Sequence, residues 1–169
     1  MNIFTVAFFG HKHIENSNFV YSALEKEIHK ILQENEYVDF LVGRNGDFDL
    51  LASSAVLEVR KKYRDDNSSL VLVLPYITAE YRNNRENFEK YYNDIEISFS
   101  ASRAFPKSAI QLRNREMVDR SDLVISYIDR EIGGAYQSIT YAQKQNKPIL
   151  NIGKLHVHYF REQKELVSI

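Results

Sequence analysis

The chain has 169 residues, a mass of 19.8 kDa, 22 basic against 23 acidic side chains and no cysteine; it is expected to form one domain over residues 1–169 that buries about two-thirds of the unfolded surface. The near-neutral balance gives no general electrostatic reason to bind nucleic acid or an anionic membrane, and the missing cysteines exclude a disulfide framework, a thiol nucleophile and thiolate-bound zinc. The N-terminal MNIFTVAFFGHKH carries an apolar run too short to span a bilayer and lacks a signal-peptide pattern, so a cytoplasmic protein without a membrane partner is expected.

In chain order, Ile3 to Phe9 reads as a central strand, β-branched and aromatic, that stops at Gly10-His11-Lys12-His13. Val20, Ala23, Leu24, Ile28, Ile31 and Leu32 recur at helical spacing, with Asn16 or Ser17 as the expected cap. Val38 to Val42 is the second strand, closed by Gly43-Arg44-Asn45-Gly46-Asp47, and a helix follows from about Asp49. Leu70 to Leu74 is the third strand, ended by Pro75. From Tyr76 to Pro106 the pattern reads as an irregular insertion of the kind that forms lids and binding loops, holding only a short extended piece around Ile95 and Ile97. A helix from about Ser108 to Arg120 leads into a strand at Leu123 to Tyr127; after Gly133-Gly134 comes a helix, and Pro148 to Asn151 is the last strand. The tail after Gly153, with His156 and His158, fits a short strand or a helix equally.

Strands alternating with helices imply an α/β fold, Rossmann-like, of three layers α/β/α around a mainly parallel sheet of about five strands. In such sheets ligands bind beyond the carboxyl ends of the strands. A helix starting at Gly133-Gly134 would present free N–H groups and a positive dipole end there, which anions favour; a bare strand-to-helix turn needs glycine equally. Gly10, His11 and Lys12, Gly43 and Gly46, and Gly133 and Gly134 are thus expected around one pocket. Asp47 and Asp49 could hold ribose hydroxyls, or one of them could cap the next helix. Of Arg113, Arg115 and Arg120, all on one helix, Arg115 is assigned to the ligand, although its spacing from Asp119 also suits a surface pair. His11 and His13 lack a third ligand nearby, so no metal is expected, and no cofactor either.

GHK after the first strand, Gly43-Arg44-Asn45-Gly46-Asp47-Phe48-Asp49, the run from Arg113 to Asp122 and Gly133-Gly134-Ala135-Tyr136 together resemble the SLOG superfamily, most nearly its small YpsA-like bacterial and phage-associated proteins. The resemblance runs from Phe4 to Ile152. It implies a Rossmann-like sheet with a pocket for a nucleotide or nucleotide-derived ligand, a fold shared by cytokinin-activating phosphoribohydrolases and by the DNA-processing protein DprA. The phosphoribohydrolase pattern PGGxGTxxE is not kept: Ile132, Tyr136, Gln137 and Thr140 stand for its proline, third glycine, threonine and catalytic glutamate. Tyr136 would then bring a ring to the phosphate site, to stack on a base or cover the helix end.

The expected function is binding or sensing of a nucleotide-like small molecule, with homo-oligomerisation as a further expectation. Two alternatives stand beside it. One is an N-glycosidase or phosphoribohydrolase-type enzyme acting on nucleotides, in which Asp47, Asp49 or Glu131 replaces the glutamate. The other, with nucleic acid as partner, is a DprA-like single-strand DNA binder using Arg103, Lys107, Arg113 and Arg115 with Phe99 and Phe105; the near-neutral charge weighs against it.

Overall fold

The computed structural model describes residues 1–153. Strands β1 (Ile3–Gly10), β2 (Tyr37–Val42), β3 (Ser68–Leu74), β4 (Asp94–Ile97), β5 (Leu123–Tyr127) and β6 (Ile149–Asn151) form one sheet in the order β4-β3-β2-β1-β5-β6. Every pairing is parallel. The chain winds outward from β1 through β4, then returns to place β5 on the other side of β1. That reversal is the topological switch point, where the loops leaving β1 and β5 diverge and open a crevice.

Alternation along the strands builds the two cores. Val6 and Phe8, Phe40 and Val42, and Leu70, Leu72 and Leu74 point to one face, where α1 (Ser17–Glu34) and α2 (Asp47–Lys62) supply Leu24, Ile28, Phe48, Ala52, Val56 and Val59. Ala7, Phe9, Leu41, Val71, Val73 and Val124 point to the other, against Met117 and Val118 of α6 (Pro106–Arg120) and Ile139 and Ala142 of α7 (Gly134–Lys144). Burial on both faces is why the central strands read as uninterrupted apolar runs.

The segment from Tyr76 to Pro106 is more regular than its sequence suggests. It contains α3 (Ala79–Asn83), α4 (Arg85–Tyr91), the edge strand β4 and α5 (Phe99–Ser102). Strand β4 is short and lies at the sheet edge, half exposed, and its Asp-Ile-Glu-Ile pattern lacks the apolar run of a central strand. Phe88 and Tyr92 still anchor the segment to the first core. Arg44 fastens it to the loop after β2, its Nε donating to Glu80 (2.8 Å), its Nη1 to the Tyr92 hydroxyl (3.0 Å), and its guanidinium lying 4.7 Å from the centre of the Phe88 ring.

Asn16, one of the two expected caps, stands at the N-cap of α1 in the left-handed conformation (φ 60°), but its carbonyl, not its side chain, accepts from Phe19 and Val20. The tail beyond Gly153, with His156 and His158, lies outside the described residues. Among the described residues no helix is long and apolar enough to cross a membrane.

Candidate functional site

A cleft of about 490 Å³ opens at the switch point. Its walls are Gly10, His11 and Lys12 after β1, Gly43 and Asn45 after β2, Asp49 of α2, and Arg130 with Ile132, Gly133 and Gly134 between β5 and α7. One face of α6 completes it with Ile110, Arg113, Asn114 and Met117. Of the residues expected from sequence, Gly10, His11, Lys12, Gly43, Asp49, Gly133 and Gly134 come together here.

Gly46, Asp47, Arg115 and Tyr136 do not line the cleft. Gly46 packs against the first loop, where an added Cβ would lie 2.5 Å from the Lys12 Cα. Asp47 ties the same loop down: its N–H donates to the Lys12 carbonyl (2.8 Å), and its carboxylate accepts from the Ile14 N–H (3.4 Å) and lies 3.9 Å from the exposed His13. Arg115 is two residues from Arg113 and so on another face of α6, stacked 5.3 Å over the ring of Tyr141. Tyr136 lines a second hollow with Glu131, Ile139, Gln143 and Asn151. Among Asp47, Asp49 and Glu131, only Asp49 reaches the cleft.

Arg113 and Asn114, rather than Arg115, form the α6 wall of the cleft. The signal is present in the sequence, because Ile110, Arg113, Asn114 and Met117 follow the i, i+3, i+4, i+7 rule for one helix face. Arg113 is 2 % exposed and Asn114 7 %. A chain of hydrogen bonds holds them: Arg113 Nη1 donates to the Val73 carbonyl (2.8 Å), Arg113 Nε to Asn114 Oδ1 (2.8 Å) and Asn114 Nδ2 to Ser138 Oγ (3.0 Å). Ser138 donates in turn to the Gly134 carbonyl (3.0 Å). The guanidinium is thereby fixed relative to the first turn of α7, whose glycine cap, Gly133, sits at φ 93° where a side chain would be strained.

Asp49 lies on the other side of Gly43. It is 9 % exposed and accepts from the Asn45 N–H at 2.9 Å. A Cβ built on Gly43 would stand 3.1 Å from the Asp49 carboxylate and 3.2 Å from both terminal nitrogens of Arg113. No direct ion pair joins the two groups among the described residues, so each keeps bonding capacity toward the space above Gly43. Burial pushes the Asp49 carboxyl up, against the pull of the Asn45 N–H and of Arg113. Burial likewise pushes Arg113 down, opposed by Asp49, but a guanidinium stays charged.

His11, 5 % exposed, sits between β1 and β5 with its Nε2 3.2 Å from the Asp129 backbone N–H and 3.3 Å from Asp129 Oδ1. The direction of a backbone N–H is fixed by its peptide plane, so Nε2 is read as the acceptor and not as a donor to the carboxylate. Burial and the nearby Arg130 lower the imidazole pKa, and Asp129 only partly raises it. The sign of the consequence follows by linkage: just below the unfolded value of 6.5 the unfolded chain takes up a proton that the folded chain refuses. This stability is present above that value and is lost as pH falls into the window beneath it. Thermal melts of the wild type should therefore weaken from about pH 7 to about pH 5.5, and His11→Asn should flatten the decline; parallel slopes would contradict the assignment.

A parallel α/β sheet with a glycine-walled cleft at its switch point is a Rossmann-like architecture. This chain belongs to the YspA SLOG family, whose sequence model matches residues 3–157. Among solved structures it is similar to the DNA processing protein A of Helicobacter pylori, described for its single-stranded DNA binding mode, with 18 % identity, a TM-score of 0.63 and coverage of 88 % of this chain and 64 % of that one. It is also similar to DNA processing protein A (DprA) of Streptococcus pneumoniae, with 15 % identity, a TM-score of 0.63 and coverage of 88 % and 50 %. The chain thus spans between half and two-thirds of the length of these proteins, and the likeness is one of fold. No match is found among curated proteins.

Proposed function

We propose that the cleft binds a nucleotide or nucleotide-derived small molecule. The phosphate would rest on the free N–H groups at the start of α7, with Arg113 beside it, and a sugar hydroxyl would donate to Asp49. The observation that carries this reading is the buried guanidinium and buried carboxylate flanking Gly43 without pairing to each other. Burying two charges costs several kcal/mol per ion unless something compensates, and a ligand with an anionic end and a hydroxyl end would compensate both.

The test is a calorimetric titration with AMP. Gly134→Asp adds a negative charge and a side chain at the helix start, where an added Cβ meets only the flexible Gln111 amide at 3.1 Å; binding should fall by about 1–3 kcal/mol. Lys144→Asp, an exposed position at the far end of α7, should change it little. Equal losses, or none in a folded Gly134 variant, would remove the helix terminus as the anion site.

A second reading, single-strand DNA binding, is favoured by one surface feature. Phe99 and Phe105 are 69 % and 85 % exposed, and the Arg103 guanidinium stacks 4.4 Å from the Phe99 ring centre. Ile110 and Ile132, also exposed, line the cleft. Neither Arg113, which is buried, nor Arg115, which lies on Tyr141, contributes to it. Under this reading a filter-binding titration retains oligonucleotide with a steep salt dependence, and Phe105→Ala costs about 1–3 kcal/mol; absence of retention at low salt rejects it.

A further inference from the structure

The loop after β5 leaves one polar atom unexplained. Asp129 Oδ1 is buried and accepts no hydrogen bond. The carboxylate's other oxygen is 3.5 Å from the Tyr127 hydroxyl, and the half-exposed Arg130 holds its Nη1 3.8 Å from Oδ1, beyond hydrogen-bonding reach. A buried carboxylate oxygen without a donor costs stability. The nearest group able to supply a proton is the His11 imidazole, whose Nε2 is 3.3 Å away.

In the neutral ring Nε2 accepts from the Asp129 N–H, so the ring proton is on Nδ1. Nδ1 has no hydrogen-bond partner among the described residues, and His11 lines the cleft. The ring therefore offers a donor to the cleft and a lone pair to the loop. An anion in contact with Nδ1–H would stabilise a second proton on the ring. That proton, on Nε2, would meet Asp129 Oδ1 at 3.3 Å, exchanging a neutral bond to the backbone for a charge-assisted bond to the orphaned oxygen.

We propose that an oxyanion entering the cleft is bound together with a proton on His11, the imidazolium bridging the ligand through Nδ1 and Asp129 Oδ1 through Nε2. This rests on the anion-binding reading above and adds to it the coupling of ligand to proton. The charged and titratable groups around the ring are Asp129, Arg130 and Tyr127 from β5 and its loop, with Glu15 acting on Tyr127, then Lys12 from its own loop, Asp49 from α2 and Arg113 from α6. Burial and Arg130 keep the imidazole neutral near pH 7 before any anion binds. A phosphate charge at Nδ1 opposes both, and proton uptake on binding follows.

Calorimetric titration of the whole chain with AMP near pH 7, in two buffers of different ionisation enthalpy, reads the coupling directly. The expected uptake approaches one proton per AMP bound, so affinity should rise by up to about tenfold for each pH unit lowered. The part due to the phosphate's own second ionisation remains in His11→Asn and is subtracted. Asp129→Asn should reduce the uptake, and nitrogen-15 spectra of the ligand-free protein should place the neutral ring's proton on Nδ1 and show His11 titrating lower in that variant. AMP binding without proton uptake beyond that in His11→Asn, or a neutral ring protonated on Nε2, would overturn the proposal. Failure of both AMP and inorganic phosphate to bind would instead remove the anion-site reading and the proposal with it.

Discussion

Arg113→Met should weaken AMP binding by roughly 10- to 100-fold, the equivalent of losing one charge-assisted hydrogen bond at about 1.5–3 kcal/mol. Methionine approximates the length and volume of the buried stem, so the loss would fall on the guanidinium. Arg113→Lys should recover little despite restoring the charge. A lysine cannot reproduce the fork that engages the Val73 carbonyl and Asn114 Oδ1 while leaving a nitrogen for the ligand. Titration calorimetry with unfolding curves for all three proteins checks this. Lysine restoring wild-type affinity would reduce the role of Arg113 to that of a point charge, and unimpaired binding in a folded Met variant would eliminate it.

Gly10→Ala should lower stability by about 3 kcal/mol, at the upper end for overpacking in a core. The new Cβ would run into the ring of Phe48. That ring has little room to move: it is fully buried, with Phe8 at 6.5 Å and Tyr127 stacked at 6.4 Å. Thermal unfolding should show a fall of roughly 10 °C for a chain of this size. Gly134→Ala, meeting only the flexible Gln111 side chain, serves as the comparison; similar melting of Gly10→Ala and wild type would show that the β1 terminus and α2 are not locked together as described.

The fold was legible because burial on both sides of the sheet writes itself as runs such as LVLVL and LVIS. Strand β4 was legible only as a short extended piece around Ile95 and Ile97, since an edge strand with alternating charge carries no such run. The glycine loops also announced the cleft, because the switch-point geometry brings the loops after β1, β2 and β5 together whatever else they contain. Side-chain direction was the part that did not transfer. Arg113 and Arg115 are equivalent in sequence, yet a rotation of about 200° around α6 sends one to the cleft floor and the other onto Tyr141. Asp47 and Asp49 separate in the same way, one holding the first loop and the other facing Arg113. His11 was singled out from sequence, but its setting against Asp129 depends on β1 and β5 being neighbours, a pairing 118 residues apart that periodicity cannot reveal.

A crystal structure of the protein with AMP decides whether a phosphorylated ligand sits between the start of α7 and Arg113. Phosphate oxygens are expected within hydrogen-bonding distance of the Gly134 N–H and the Arg113 guanidinium, with a ribose hydroxyl toward Asp49. Phosphate located elsewhere, on the Phe99 and Phe105 surface or in the hollow beside Tyr136, would contradict that placement.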